Sequence, residues 1–257
     1  MEIDLARLQP LIGAVFFPFV RIGACLMVAP VFGAAFVPRR IRIVLAGALS
    51  LMVAPLLPAA SLPPLLSGAG VQILLQQLLV GVALGFALQL VFDALALGGQ
   101  LLANGMGLGV AFNIDPLRGV STPALGQLYV VLGTLIFLAL DGHIALLQLL
   151  VDSFRTLPVT GAGLGDGALR ALADWGGIMF SGSLRLALPG ITALLVTNVA
   201  FGVISRAAPA LNMFAVGLPV TLAVGMAVVL YGLSTLQSGF TALLRDAMMF
   251  MVSLVGG

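Results

Sequence analysis

One cysteine, one histidine and no lysine among 257 residues set the first limits on this chain. Cys25 alone excludes an intrachain disulfide and a multi-thiolate metal site, and His143 alone excludes His-rich zinc chemistry. Charge is equally scarce: 8% of residues carry it, 11 arginines and 9 acids, for a net +2. Charges so few and so scattered make neither a nucleic-acid-binding face nor an acidic interaction tail, so no nucleic-acid partner is expected. There is no His-Glu-x-x-His, no Gly-x-Ser-x-Gly and no P-loop, and the acids fall one per segment end. No catalytic, cofactor or metal site is therefore expected. Gly105-Met106-Gly107-Leu108-Gly109 lacks the Lys-Ser/Thr and the preceding strand that a phosphate loop requires.

What the chain has in abundance is apolar surface. It is 61% hydrophobic with a mean hydropathy of +1.22, too apolar for a water-soluble globule. The start, with Glu2 and Asp4, lacks the basic opening of a signal peptide, so the first segment is expected to be retained. The composition predicts an all-α polytopic membrane protein, one integral domain over residues 1–257 with about six apolar helical segments. The first runs from Leu11 to Phe36 and ends at Pro38, Arg39, Arg40 and Arg42. Ile43 to Phe92 is uncharged for 50 residues, but Pro55, Pro58, Pro63 and Pro64 divide it into Ile43 to Leu57 and Val71 to Phe92. The latter is about 33 Å long as a helix, close to a bilayer core. Gly119 to Leu140 is the fourth, and with Ile144 to Val151 continuing beyond Asp141 the helix is expected to outrun the membrane. Leu157 to Gly167 reads as a loop. A fifth helix starts near Leu172 and passes through Pro189 toward Ser205. Pro209, Gly217 and Pro219 are expected to break the next run and leave Val220 to Leu244 as the last long helix.

Arginine counts orient the chain weakly: Arg39, Arg40, Arg42, Arg118 and Arg206 fall on one side, Arg7, Arg155, Arg170 and Arg245 on the other. Glycine, 32 of 257 residues, is more informative. Small residues at four-residue spacing let helices approach closely in lipid, and Gly81 and Gly85 fit that use. Residues 100–122 combine Gly105, Gly107 and Gly109 with Gln100, Asn104 and Asn113. Such backbone is tolerated at membrane depth only where protein buries it or water reaches it. Two readings stand: a loop inside a conduit, with Gly105, Met106, Gly107, Leu108, Gly109, Phe112 and Asn113 as candidates, or a plain turn outside the membrane. Met106 and Phe112 suit a deformable apolar seal. Arg21, Asp93 and Arg185 lie within or at the ends of spans, where a charge needs a partner, a cavity or a headgroup, and with Arg206 they are candidate intramembrane or subunit-contact charges.

Several short motifs occur together and in order. They are Arg21-Ile22; Ala29-Pro30-Val31-Phe32-Gly33; Pro38-Arg39-Arg40; Gly85-Phe86; Met106-Gly107-Leu108; Asp115-Pro116; Asp141-Gly142-His143; Leu157-Pro158; Ala187-Leu188-Pro189; and Arg206-Ala207-Ala208-Pro209. In this arrangement the chain resembles the FliR family of type III secretion export-gate membrane proteins over nearly its whole length. Where many relatives have Gln after the last proline, this chain has Ala210. The resemblance implies long, bent helical hairpins. It also implies a single copy assembled with FliP and FliQ homologues, contact with an FlhB homologue, and a bacterial inner-membrane location at the flagellar basal body. The cargo it implies is unfolded polypeptide, with membrane lipid as the surroundings and a pore plug at the stretch matching residues 105–122. Two rivals remain: a subunit of a virulence injectisome, and a small-molecule transporter using Arg21, Asp93 and Arg185.

Overall fold

The computed structural model describes residues 5–56, 62–65, 67–108, 124–160, 163–165, 167–207 and 213–256. Among them are nine α-helices and no strand. They are α1 Leu5–Val28, α2 Arg39–Val53, α3 Gly68–Gly105, α4 Ala124–Ala139, α5 Gly142–Thr156, α6 Ala168–Trp175, α7 Gly177–Ala207, α8 Met213–Tyr231 and α9 Leu233–Gly256. A short 3-10 turn, Ala54–Leu56, follows α2. The chain is thus an all-α protein, and its apolar helices make it a multi-pass membrane protein. Gly68–Gly105, Ala168–Ala207 and Leu233–Gly256 are each long and apolar enough to cross a membrane, and α4 with α5 adds a fourth if the pair is one broken span.

Several expected boundaries move. The first helix stops at Val28, not Phe36, and three residues on Val31 takes a left-handed φ of 68° that no helix can hold. That conformation is strained for a β-branched residue. Arg39, Arg40 and Arg42 therefore open α2 instead of closing α1. Arg42 donates from Nη2 to the carbonyls of Ala34 and Val37, pinning the turn between the two helices. Helix α3 does not end at Phe92 but continues to Gly105, about 57 Å in all. Protein contacts replace lipid along its second half, where Leu95, Leu102 and Ala103 are buried. The fourth run does not outlast the membrane as one helix: it breaks at Asp141, which sits left-handed at φ 54°. Pro219 does not break the last run either, since α8 passes through it. A proline costs an apolar helix one main-chain hydrogen bond, which by itself does not end it. The break falls at Gly232, so the last helix is Leu233–Gly256 instead of Val220 to Leu244.

The described chain divides into two compact units, one holding residues 1–89, 141–176 and 246–257, the other residues 90–140 and 177–245. In the first unit α1 packs on α2, with Gly23 of α1 over Ala46 of α2, and Phe17, Ile22 and Leu26 of α1 are buried. Trp175 stacks on Phe250 at 4.5 Å between ring centroids and donates from Nε1 to the Ala87 carbonyl at 3.0 Å. In the second unit α7 packs on α8. Its core is an aromatic cluster in which Phe92 meets Phe137 and Phe240 edge-on, at 5.6 and 5.4 Å.

Candidate functional site

Residues 109–123 lie outside the described residues, and with them Gly109, Phe112 and Asn113 of the candidate loop. What the structure places is the approach to it. Gln100 to Gly105 are the last turns of α3, not loop. The helix then closes through Met106 and Gly107: the Met106 amide donates to the Leu102 carbonyl and the Gly107 amide to that of Asn104, both at 3.0 Å. Gly107 takes φ +80°, the left-handed conformation that glycine adopts at helix ends without steric cost. Asn198 of α7 donates from Nδ2 to the Gly105 carbonyl at 3.3 Å, covering a main-chain acceptor that the ending helix leaves open.

Met106 is not free to seal a pore in this arrangement. Its side chain is 2% exposed and lies in a slot over Gly225 of α8. A Cβ at Gly225 would meet Met106 Cε and Sδ at 2.6 Å, and one at Gly107 would meet Leu218 Cδ1 at 3.0 Å. Leu108, half-buried, is the last residue described before the gap.

Arg21 is 1% exposed. Its Nε donates to Gln77 Oε1 at 2.7 Å, Nη1 to the Ser153 carbonyl at 2.9 Å and to Ser153 Oγ at 3.1 Å, and Nη2 to the Leu157 carbonyl at 2.7 Å. All four acceptors are neutral. The cation is balanced instead by the negative end of α5, where Ser153 and Leu157 lie, and by the face of Phe154, whose ring centre is 4.2 Å from Cζ. Gln77 continues the network by donating to the Val159 carbonyl at 3.4 Å. Arg21 thus ties α1, α3 and the end of α5 together within the first unit.

Gly81 and Gly85 lie on the α3 face against α1. A Cβ at Gly81 would collide with the Arg21 carbonyl and come to 2.8 Å from Ala24 Cβ, and one at Gly85 would reach the Cys25 carbonyl at 2.7 Å. The other candidate charges belong to the second unit. Asp93 is half-buried on α3 and engaged with a neighbour. Arg185 is exposed on α7, and Arg206 is exposed in its last turn, where the helix dipole favours a cation. Among the described residues no group of three His, Cys, Asp or Glu could hold a metal ion.

One feature escaped the sequence reading. Ser234, Gln237, Ser238, Thr241 and Arg245 of α9 line one open groove with Ala242. Its sequence signal is a polar recurrence at helical spacing made of hydroxyls and an amide, which carries no charge except at Arg245.

The sequence profile of a family described as bacterial export proteins, family 1, matches residues 12–247. The chain is 44% identical to a flagellar biosynthetic protein FliR from Pectobacterium carotovorum over 211 residues, 82% of this chain and 80% of the relative. It is 39% identical to the FliR of Escherichia coli K12 over the same shares. Against the FliR of Bacillus subtilis 168 the figure is 29% over 223 residues, 85% of each chain.

Proposed function

Because the chain belongs to the bacterial export proteins, family 1, we propose that it is a core subunit of the flagellar type III export gate. It forms, with FliP and FliQ homologues, a channel through which unfolded flagellar proteins cross the inner membrane, and it contacts an FlhB homologue. The observation that carries this reading is the 44% identity to a flagellar FliR over four-fifths of both chains. Phe180, Leu184, Leu188, Leu195, Val196, Val199 and Val203 leave α7 with an exposed apolar face that lipid or a neighbouring subunit would cover.

In this reading the subunit conducts and performs no chemistry, and the driving energy enters elsewhere in the apparatus. Residues 105–122 form the plug. Its described root is anchored by Met106 packed over Gly225 and by the Asn198 bond to the Gly105 carbonyl. An incoming polypeptide displaces that segment, and its return restores the ion seal. Motility of a strain lacking its own FliR, complemented with this chain, tests the assignment. Restored swimming and secretion support it. A stably produced chain that assembles into the inner membrane yet restores neither contradicts it.

A further inference from the structure

Helix α9 is apolar enough to span a membrane, yet it carries a continuous polar stripe. Ser234, Gln237, Ser238, Thr241 and Arg245 recur at i, i+3, i+4, i+7 and i+11, which places them on one helical face. All but the half-buried Thr241 are exposed, and the groove they line has a volume of about 570 Å³. The opposite face, with Leu236, Phe240, Leu243 and Leu244, is buried. The two faces therefore have different duties.

Lipid is a poor neighbour for the stripe, because hydrocarbon offers no partner to an amide or a guanidinium. The hydroxyls also look inward with their hydrogens. Ser238 Oγ donates to the Thr235 carbonyl at 3.1 Å and Thr241 Oγ1 to the Gln237 carbonyl at 2.8 Å. What these two present outward is oxygen lone pairs on short side chains. Such a surface is wetted by water and grips no particular sequence. Beside them the exposed Gln237 amide and Arg245 guanidinium add donors, and the groove lining holds no apolar side chain larger than Ala242 that would lock a packed helix in place.

We propose that this stripe lines the water-filled path of the exported polypeptide, accepting transient hydrogen bonds from its extended main chain, with Arg245 as a fixed cation at one end. The inference rests on the export-gate reading and names the surface that reading lacks. Single cysteines test it in the assembled, exporting gate. Cys25 is fully buried, so the wild-type chain is the unreactive blank. Ser234→Cys, Ser238→Cys and Thr241→Cys are expected to react with a water-soluble, membrane-impermeant maleimide on the order of tenfold faster than Val252→Cys, whose site is exposed but apolar. A substrate stalled in the channel is expected to protect them. Slow labelling at all three, or labelling that a stalled substrate leaves unchanged, overturns the proposal. As a second test, Ser234→Leu combined with Ser238→Leu should cut export several-fold at unchanged complex yield, and unchanged export overturns it. If the wild-type chain itself neither assembles nor exports, the gate reading fails instead, so the two failures are distinct.

Discussion

Arg21 and Leu157, 136 positions apart, are joined by a 2.7 Å hydrogen bond from the guanidinium to the main-chain carbonyl just beyond α5. The rest of the fork is used as well, on Gln77 and Ser153. Removing it leaves several buried acceptors without donors. Arg21→Met is expected to destabilise the chain by about 2–5 kcal/mol, seen as a lower thermal midpoint of the purified complex. Arg21→Lys keeps the charge but cannot cover acceptors on two elements from one planar group, so it should lose an intermediate amount. A lysine variant as stable as wild type would contradict the role assigned to the fork.

Glycine substitutions separate close approach from helix propensity. At Gly81 an added Cβ meets the main chain of α1, which cannot swing aside, so Gly81→Ala should cost roughly 1–3 kcal/mol. Gly47, inside α2, has nothing within 4 Å of the same atom. Gly47→Ala is expected to be neutral or to stabilise by up to about 1 kcal/mol. Chemical denaturation of the two variants in parallel checks the difference in sign.

The Met106 slot predicts non-additivity. Gly225→Ala should force the flexible methionine to shift, and if the following segment is the proposed plug, ion leakage through the resting gate should rise. Met106→Ala alone leaves a cavity worth about 2–5 kcal/mol. Combined, the second change removes the clash created by the first, so the double variant should be less damaged than the sum by about 0.5–3 kcal/mol. Strict additivity in stability and leakage would show that the contact does not matter.

Trp175 is the only tryptophan and reports on its own contacts. Trp175→Phe keeps a ring against Phe250 but loses the Nε1 bond to Ala87, for an expected loss of about 0.5–1.5 kcal/mol. Phe250→Ala should shift the emission of Trp175, and an unchanged spectrum would contradict the stack.

Much of the architecture was legible from apolar runs and prolines: each of the six apolar segments overlaps a described helix, although the first runs on past Val28 and the last spans the break at Gly232, and the loop expected over Leu157 to Gly167 separates α5 from α6. The errors have a common cause. Reading lengths against a bilayer stopped the third segment at Phe92, whereas buried Leu95 and Leu102 extend the helix on protein contacts that local sequence does not reveal. Pro219 lies inside α8 because a proline removes one hydrogen bond from an apolar helix and need not end it, a tolerance the residue type alone does not reveal. Arg21 was visible as an anomaly in an apolar run, but its acceptors sit 56 and 132 or more residues away. The α9 stripe was readable in principle. It needed attention to hydroxyls and amides, not only to charges.

The central claim is that this chain works as one part of a multi-protein channel. The most direct measurement is to co-express it with its cognate FliP and FliQ homologues, purify through a tag on this chain alone, and weigh the intact assembly by native mass spectrometry. The account predicts one copy of this chain in a larger hetero-oligomer containing both partners. A stable homo-oligomer free of them would contradict it.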